Sequence, residues 1–125
     1  MKKINFWDTD VGLKDFNYQK KIFKENFPNE GNYVIKLQNQ IKKILNVKYC
    51  IALPSCTSAL YLDIKKLDLK KNDEILIPNI TFAATANAAY MAGVKIKFVD
   101  VNPTTLNIDL SDLNKKINKN TKAIM

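Results

Sequence analysis

The stretch EILIPNITFAATANAAYMAGVKIKFVD, Glu74 to Asp100, decides the fold. It opens on Glu74-Ile75-Leu76-Ile77, an apolar run stopped by Pro78. A short apolar run bounded by breakers reads as a strand. Ala83 to Met91 is rich in alanine and predicts a helix, and Gly93 is suited to end it. Lys95 to Val99 reads as a second strand, closed by Asp100. Strand, helix and strand in this order form a βαβ unit, which implies parallel strands.

The same rhythm extends in both directions. Upstream, Tyr49 to Leu53 predicts a short strand broken by Pro54-Ser55. A helix then starts near Cys56 or Thr57, with Leu60, Ile64 and Leu67 on one face. Asp68 to Asp73 is a lysine-rich turn. Downstream, Ser111 is expected to cap a short helix through Lys116, and Lys122 to Met125 begins a fourth strand. Strand starts near 49, 74, 95 and 122 alternate with helices, the mark of an α/β fold with a mostly parallel sheet. Residues 1–48 read as an N-terminal helical segment. One helix runs from Leu13 to Phe27, with Phe16, Lys20, Phe23 and Phe27 on a stripe, and Pro28 closes it. Asn29-Glu30-Gly31-Asn32 is a turn. A second helix carries Leu37, Ile41, Ile44 and Leu45. The chain stops inside its last expected strand, so residues 49–125 read as a truncated part of a larger domain.

Composition removes several chemistries. The formal charge is +8, from 20 basic and 12 acidic residues, and every basic residue is lysine. Without His there is no imidazole base and no His-containing metal site. Without Arg there is no guanidinium fork for phosphate or guanine. The lysine pairs are scattered, whereas nucleic-acid binders cluster theirs. Asn (15) and Ile (14) are also abundant. The charge is therefore read as background composition, with no nucleic-acid partner. A basic binding module remains as the non-enzymatic alternative. Cys50 and Cys56 form no metal or disulfide framework. No signal peptide and no run of membrane-spanning length is present, so the expected compartment is cytoplasmic, with no membrane partner. Asn79-Ile80-Thr81 matches a glycosylation sequon that has no secretory context.

In open α/β sheets ligands bind beyond the C-terminal strand ends. Three loops qualify. Pro54-Ser55-Cys56-Thr57-Ser58 leads into a helix with free N–H groups and hydroxyls. It reads either as an anion cup suited to a phosphate monoester or as simple helix capping by Ser55 and Thr57. Phe82, between a strand end and an alanine-rich helix, is either a stacking platform for a flat ring or a core plug. Asp100 and Asp109 flank the third loop, as metal ligands or, more simply, as turn residues. A nucleophilic role for Cys56 lacks the usual partner base.

Taken in order, these pieces resemble the DegT/DnrJ/EryC1/StrS nucleotide-sugar aminotransferase family. The matching segments are Pro54-Ser55-Cys56-Thr57-Ser58-Ala59-Leu60, Asn72 to Pro78, Thr81 to Ala88, Gly93 to Val101, Asn107-Ile108-Asp109 and Thr121 to Ile124. The resemblance implies a partial large domain of the fold-type I pyridoxal-phosphate transferase fold, an αβα arrangement. Its cofactor would be pyridoxal 5'-phosphate, its substrates L-glutamate and a nucleotide-linked keto-sugar, and its full-length form a homodimer. It also implies roles. The Thr57 side chain and the N–H groups of Cys56, Thr57 and Ser58 would hold the cofactor phosphate, and Phe82 would stack on the pyridine ring. Many members carry Gly where Cys56 stands, so a left-handed turn there would be strained. The Ser-Cys-Thr form of the loop resembles members acting on a TDP-linked keto-hexose. No catalytic residue is assigned, because the family's Schiff-base lysine lies beyond residue 125 and no lysine here matches its motif. A related dehydratase, with His in place of that lysine, is the alternative enzyme.

Overall fold

Ile75, Leu76 and Ile77 of the strand Glu74–Pro78 are each 1% exposed or less. Successive strand residues point to opposite faces, so three buried in a row need cover on both sides. The structure, a computed structural model, describes residues 9–24 and 31–125. Its elements in chain order are α1 (Leu13–Lys24), α2 (Asn32–Leu45), α3 (Cys56–Lys66), β1 (Glu74–Pro78), α4 (Ala83–Met91), β2 (Lys95–Val99), α5 (Leu110–Lys116) and β3 (Thr121–Ile124). Tertiary contacts divide the chain into two compact units, Met1–Ala52 and Leu53–Met125.

In the first unit neither α1 nor α2 buries a residue. α2 ends on Asn46 in the left-handed region (φ 51, ψ 45), and Val47 N–H donates to Lys42 C=O at 3.1 Å. Asn tolerates that backbone because its short amide can bond locally. Phe27, Pro28, Asn29 and Glu30, which were expected to close the first helix and turn the chain, lie outside the described residues.

In the second unit the sheet order is β2-β1-β3, with both pairings parallel. Ile75 and Ile77 face α3 and α4, packing with Ile64, Ala88 and Ala89. Leu76 faces the other way, against Val99 and Leu113 of α5. The result is an αβα sandwich around β1: the parallel sheet agrees with the alternating pattern, and the αβα arrangement with what the family resemblance implied. Ala88 and Ala89 are fully buried, and side chains this small let α4 lie close to its neighbours. Gly93 (φ 76) closes α4: its N–H donates to Tyr90 C=O and Val94 N–H to Ala89 C=O, at 3.0 and 3.2 Å. Those two bonds make a Schellman end, which needs a left-handed residue there.

Two expectations are corrected. Tyr49 to Leu53 forms neither strand nor helix. A strand exists only through a ladder partner, and no described residue pairs with this stretch. The cap of α5 is Asp109, not Ser111: the Asp109 carboxylate accepts from Ser111 N–H (2.7 Å) and Asp112 N–H (3.0 Å). Asp serves as well as Ser for this role, and here it stands just before the first helical residue.

Candidate functional site

β1 and β2 end side by side, with Pro78 opposite Val99. The segments that follow them therefore leave from the same sheet edge. One step past the ladder, Asn79 N–H donates to Val99 C=O at 2.8 Å. Asn79 Nδ2 also donates to Asp100 Oδ1 at 3.1 Å. The same carboxylate oxygen accepts from Val101 N–H at 2.8 Å. Asp100 N–H donates to Asp112 Oδ2 at 2.7 Å, and that oxygen also receives Lys116 Nζ at 2.7 Å. Lys116 first, and the Asp100 N–H second, hold the Asp112 carboxyl below its ordinary range.

Phe82 sits at the head of α4 with extended backbone (φ −69, ψ 137). Thr85 N–H donates to its carbonyl at 3.0 Å, and Thr81 Oγ1 and Thr85 Oγ1 share a hydrogen bond at 3.2 Å. The residue is 75% exposed. That overturns the core-plug reading of Phe82; α4 fills the core with Ala84, Ala88 and Ala89 instead.

The start of α3 is built differently. Ser55 has extended backbone, and its Oγ accepts from Ser58 N–H at 3.1 Å. The Ser55 and Ser58 hydroxyls are themselves bonded at 2.9 Å. Ser58 N–H, one of three amides expected to face a phosphate, is thus engaged by the cap. Cys56 and Thr57 are the first two helical residues, whose N–H groups have no intrahelical acceptor. Cys56 is exposed and is not among the residues with positive φ, so no glycine is needed there. Thr57 and Ser58 line an open concavity of about 330 Å³ with Pro54, Tyr61 and Met91. Cys56 and Phe82 stand outside it.

Two backbone amides at the positive end of an 11-residue helix, beside the Thr57 and Ser58 hydroxyls, suit a phosphate chemically. Asp109 is occupied as a helix cap and Asp100 as an acceptor for Asn79, which agrees with the turn reading of both. Among the described residues no three His, Cys, Asp or Glu side chains gather as a metal site. Nor is any described helix long and apolar enough to cross a membrane. Sequence reasoning missed the link from Asn79 to Asp100. Each is the first residue after a strand, a visible signal, but only the strand register shows that they face each other.

Comparison with known proteins adds an independent line. The model of the DegT/DnrJ/EryC1/StrS aminotransferase family matches residues 10–125. GDP-perosamine synthase of Escherichia coli O157:H7 is 30% identical over 126 residues, covering 100% of this chain and 35% of that protein. The dTDP-4-dehydro-2,3,6-trideoxy-D-glucose 4-aminotransferase of Saccharopolyspora spinosa is 32% identical, with 98% and 32% covered. Among solved structures, the E. coli GDP-4-keto-6-deoxy-D-mannose-3-dehydratase with bound hydrated PLP superposes with a TM-score of 0.85 at 28% identity. It covers 94% of this chain and 32% of that one. The chain spans about a third of the length of the relatives it matches.

Proposed function

The chain belongs to the DegT/DnrJ/EryC1/StrS aminotransferase family, and on that premise we propose that it is the cofactor-binding part of a nucleotide-sugar aminotransferase. The observation that carries this reading is the start of α3. There the Cys56 and Thr57 amides are unclaimed within the helix, and the Thr57 and Ser58 hydroxyls sit beside them. These groups would hold the phosphate of pyridoxal 5'-phosphate. Ser55 occupies the Ser58 amide and also bonds its hydroxyl at 2.9 Å; with Ser55 as the donor of that second bond, the Ser58 hydroxyl keeps its own hydrogen for the phosphate. Phe82, exposed at the sheet edge, offers one face to the pyridine ring.

When bound, pyridoxal 5'-phosphate supplies the electron sink for amino-group transfer. The residues in hand bind and orient it. No lysine among residues 1–125 stands in a motif like the family's Schiff-base lysine, so this stretch by itself turns over no amino group. L-glutamate is the proposed donor and a nucleotide-linked keto-sugar the acceptor, in a cytoplasmic homodimer. The Ser-Cys-Thr loop favours a TDP-linked keto-hexose. Relatives that handle GDP-linked and dTDP-linked sugars both match the chain. A second reading, dehydration of a keto-sugar, is favoured by the likeness to the E. coli dehydratase. The residue at the Schiff-base position separates the two: Lys for amino transfer, His for dehydration.

Titration calorimetry tests the phosphate site. The chain is expected to bind pyridoxamine 5'-phosphate but not pyridoxamine, and Thr57→Ala is expected to weaken binding about fivefold, the effect of one hydrogen bond. Equal binding of the two compounds, or of neither, overturns the reading. So does amino transfer from glutamate to a keto-sugar by the 125-residue chain alone.

A further inference from the structure

We propose that Asp100 is a positioning residue for Phe82, acting through Asn79. The inference rests on the reading of Phe82 as a ring-stacking face. The ring is 75% exposed, so core packing does little to aim it. Its direction is left to the backbone of residues 79–82. Downstream, that backbone is held by the first turn of α4 and the hydroxyl pair of Thr81 and Thr85. Upstream, it is held by Asn79, through one bond to the Val99 carbonyl and one to the Asp100 carboxylate.

The second bond is the stronger candidate for control, because a hydrogen bond to an ionised acceptor outweighs a neutral one. Asp100 is fixed in turn. Its carboxylate also takes Val101 N–H, and its own N–H is held by Asp112 of α5. A continuous chain of bonds therefore runs from α5, on one face of the sheet, to Asn79, three residues before Phe82. Such support fixes the ring's geometry before a ligand arrives, which is what a stacking platform needs.

Two readouts on the full 125-residue chain test this. The first is amide hydrogen exchange without cofactor. Asp100→Ala and Asn79→Ala are each expected to speed exchange at the residue 79 and Thr85 amides, which bond the Val99 and Phe82 carbonyls, about fivefold, the effect of one hydrogen bond, while Ile75 to Ile77 stay unchanged. Asp100→Asn keeps an acceptor oxygen without its charge and is expected to fall between wild type and Asp100→Ala. The double variant is expected to match either single one, since both break the same link. The second readout is the shift of the Phe82 ring resonances on adding pyridoxamine 5'-phosphate. It is expected to shrink in both alanine variants and to recover in part in Asp100→Asn. Unchanged exchange at Asn79 and Thr85 in Asp100→Ala, or additive effects in the double variant, overturns the proposal. A loss of protection spread over β1 also overturns it, in favour of a merely structural role. Phe82→Ala separates this failure from that of the stacking reading. If it binds pyridoxamine 5'-phosphate as tightly as wild type, stacking fails and the proposal with it. If it binds more weakly while Asp100→Ala and Asn79→Ala do not, only the positioning role fails.

Discussion

The starts of α3 and α4 serve one proposed ligand by opposite means. α3 is closed by its own side chain: Ser55 caps it locally and uses the Ser58 amide. α4 begins on Phe82, which offers no capping group, and depends on Asn79 and Asp100, 21 residues apart, to fix its approach. A local cap can be encoded in four consecutive residues. A ring that must stay exposed cannot be held by packing, so its support comes from a neighbouring strand end. The first arrangement adds stability to its helix, and the second adds direction to a side chain.

The largest expected effect strikes the floor beneath both. Ile77→Ala removes a fully buried side chain packed against α3 and α4. It is expected to cost about 2–5 kcal/mol in chemical denaturation. A loss below about 1 kcal/mol would mean that the two helix starts do not share one core. Next comes the contrast itself. Ser55→Ala is expected to lower stability by about 1 kcal/mol. Phe82→Ala, at a largely exposed position, is expected to change it by no more than about 0.5 kcal/mol while abolishing stacking. Equal stability losses would break the distinction between cap and platform.

The smallest effect is a pH dependence confined to the α4 side. The Asp112 carboxyl is held below its ordinary value of 3.8, first by Lys116 and then by the Asp100 N–H. For a depressed carboxylate the stabilisation is complete above the ordinary value and is lost as pH falls through the folded one. Acidification below about pH 4 is therefore expected to loosen the Asp100 and Asn79 amides before that of Ser58. Amide exchange followed by NMR reads this order. Simultaneous loosening would show that the two starts are not independently supported.

Much of this architecture was legible from residue order. Ile75-Leu76-Ile77 announced a strand, and Gly93 announced the end of α4. Ser55-Cys56-Thr57 marked a helix start, and the ordered segments pointed to the family. The misreadings have a common physical cause. Tyr49 to Leu53 carries a strand-like pattern, yet a strand also needs a ladder partner, and among the described residues none pairs with it. Ser111 and Asp109 are both good caps, and the backbone path chose between them. Phe82 is no misreading: the residues alone leave it open between core plug and stacking platform, and its exposure decides against the plug.

The sequence by itself determined the βαβ alternation, the hydroxyl-rich turn before α3 and the absence of imidazole and guanidinium chemistry. These follow from local pattern and composition. The tertiary structure alone decided that Pro78 lies opposite Val99, and therefore that Asn79 meets Asp100. It also decided that the Ser58 amide is taken and that Phe82 points away from the core. Each of these depends on which distant groups the sheet register and helix packing bring within hydrogen-bond or contact distance, and one-dimensional order does not specify that.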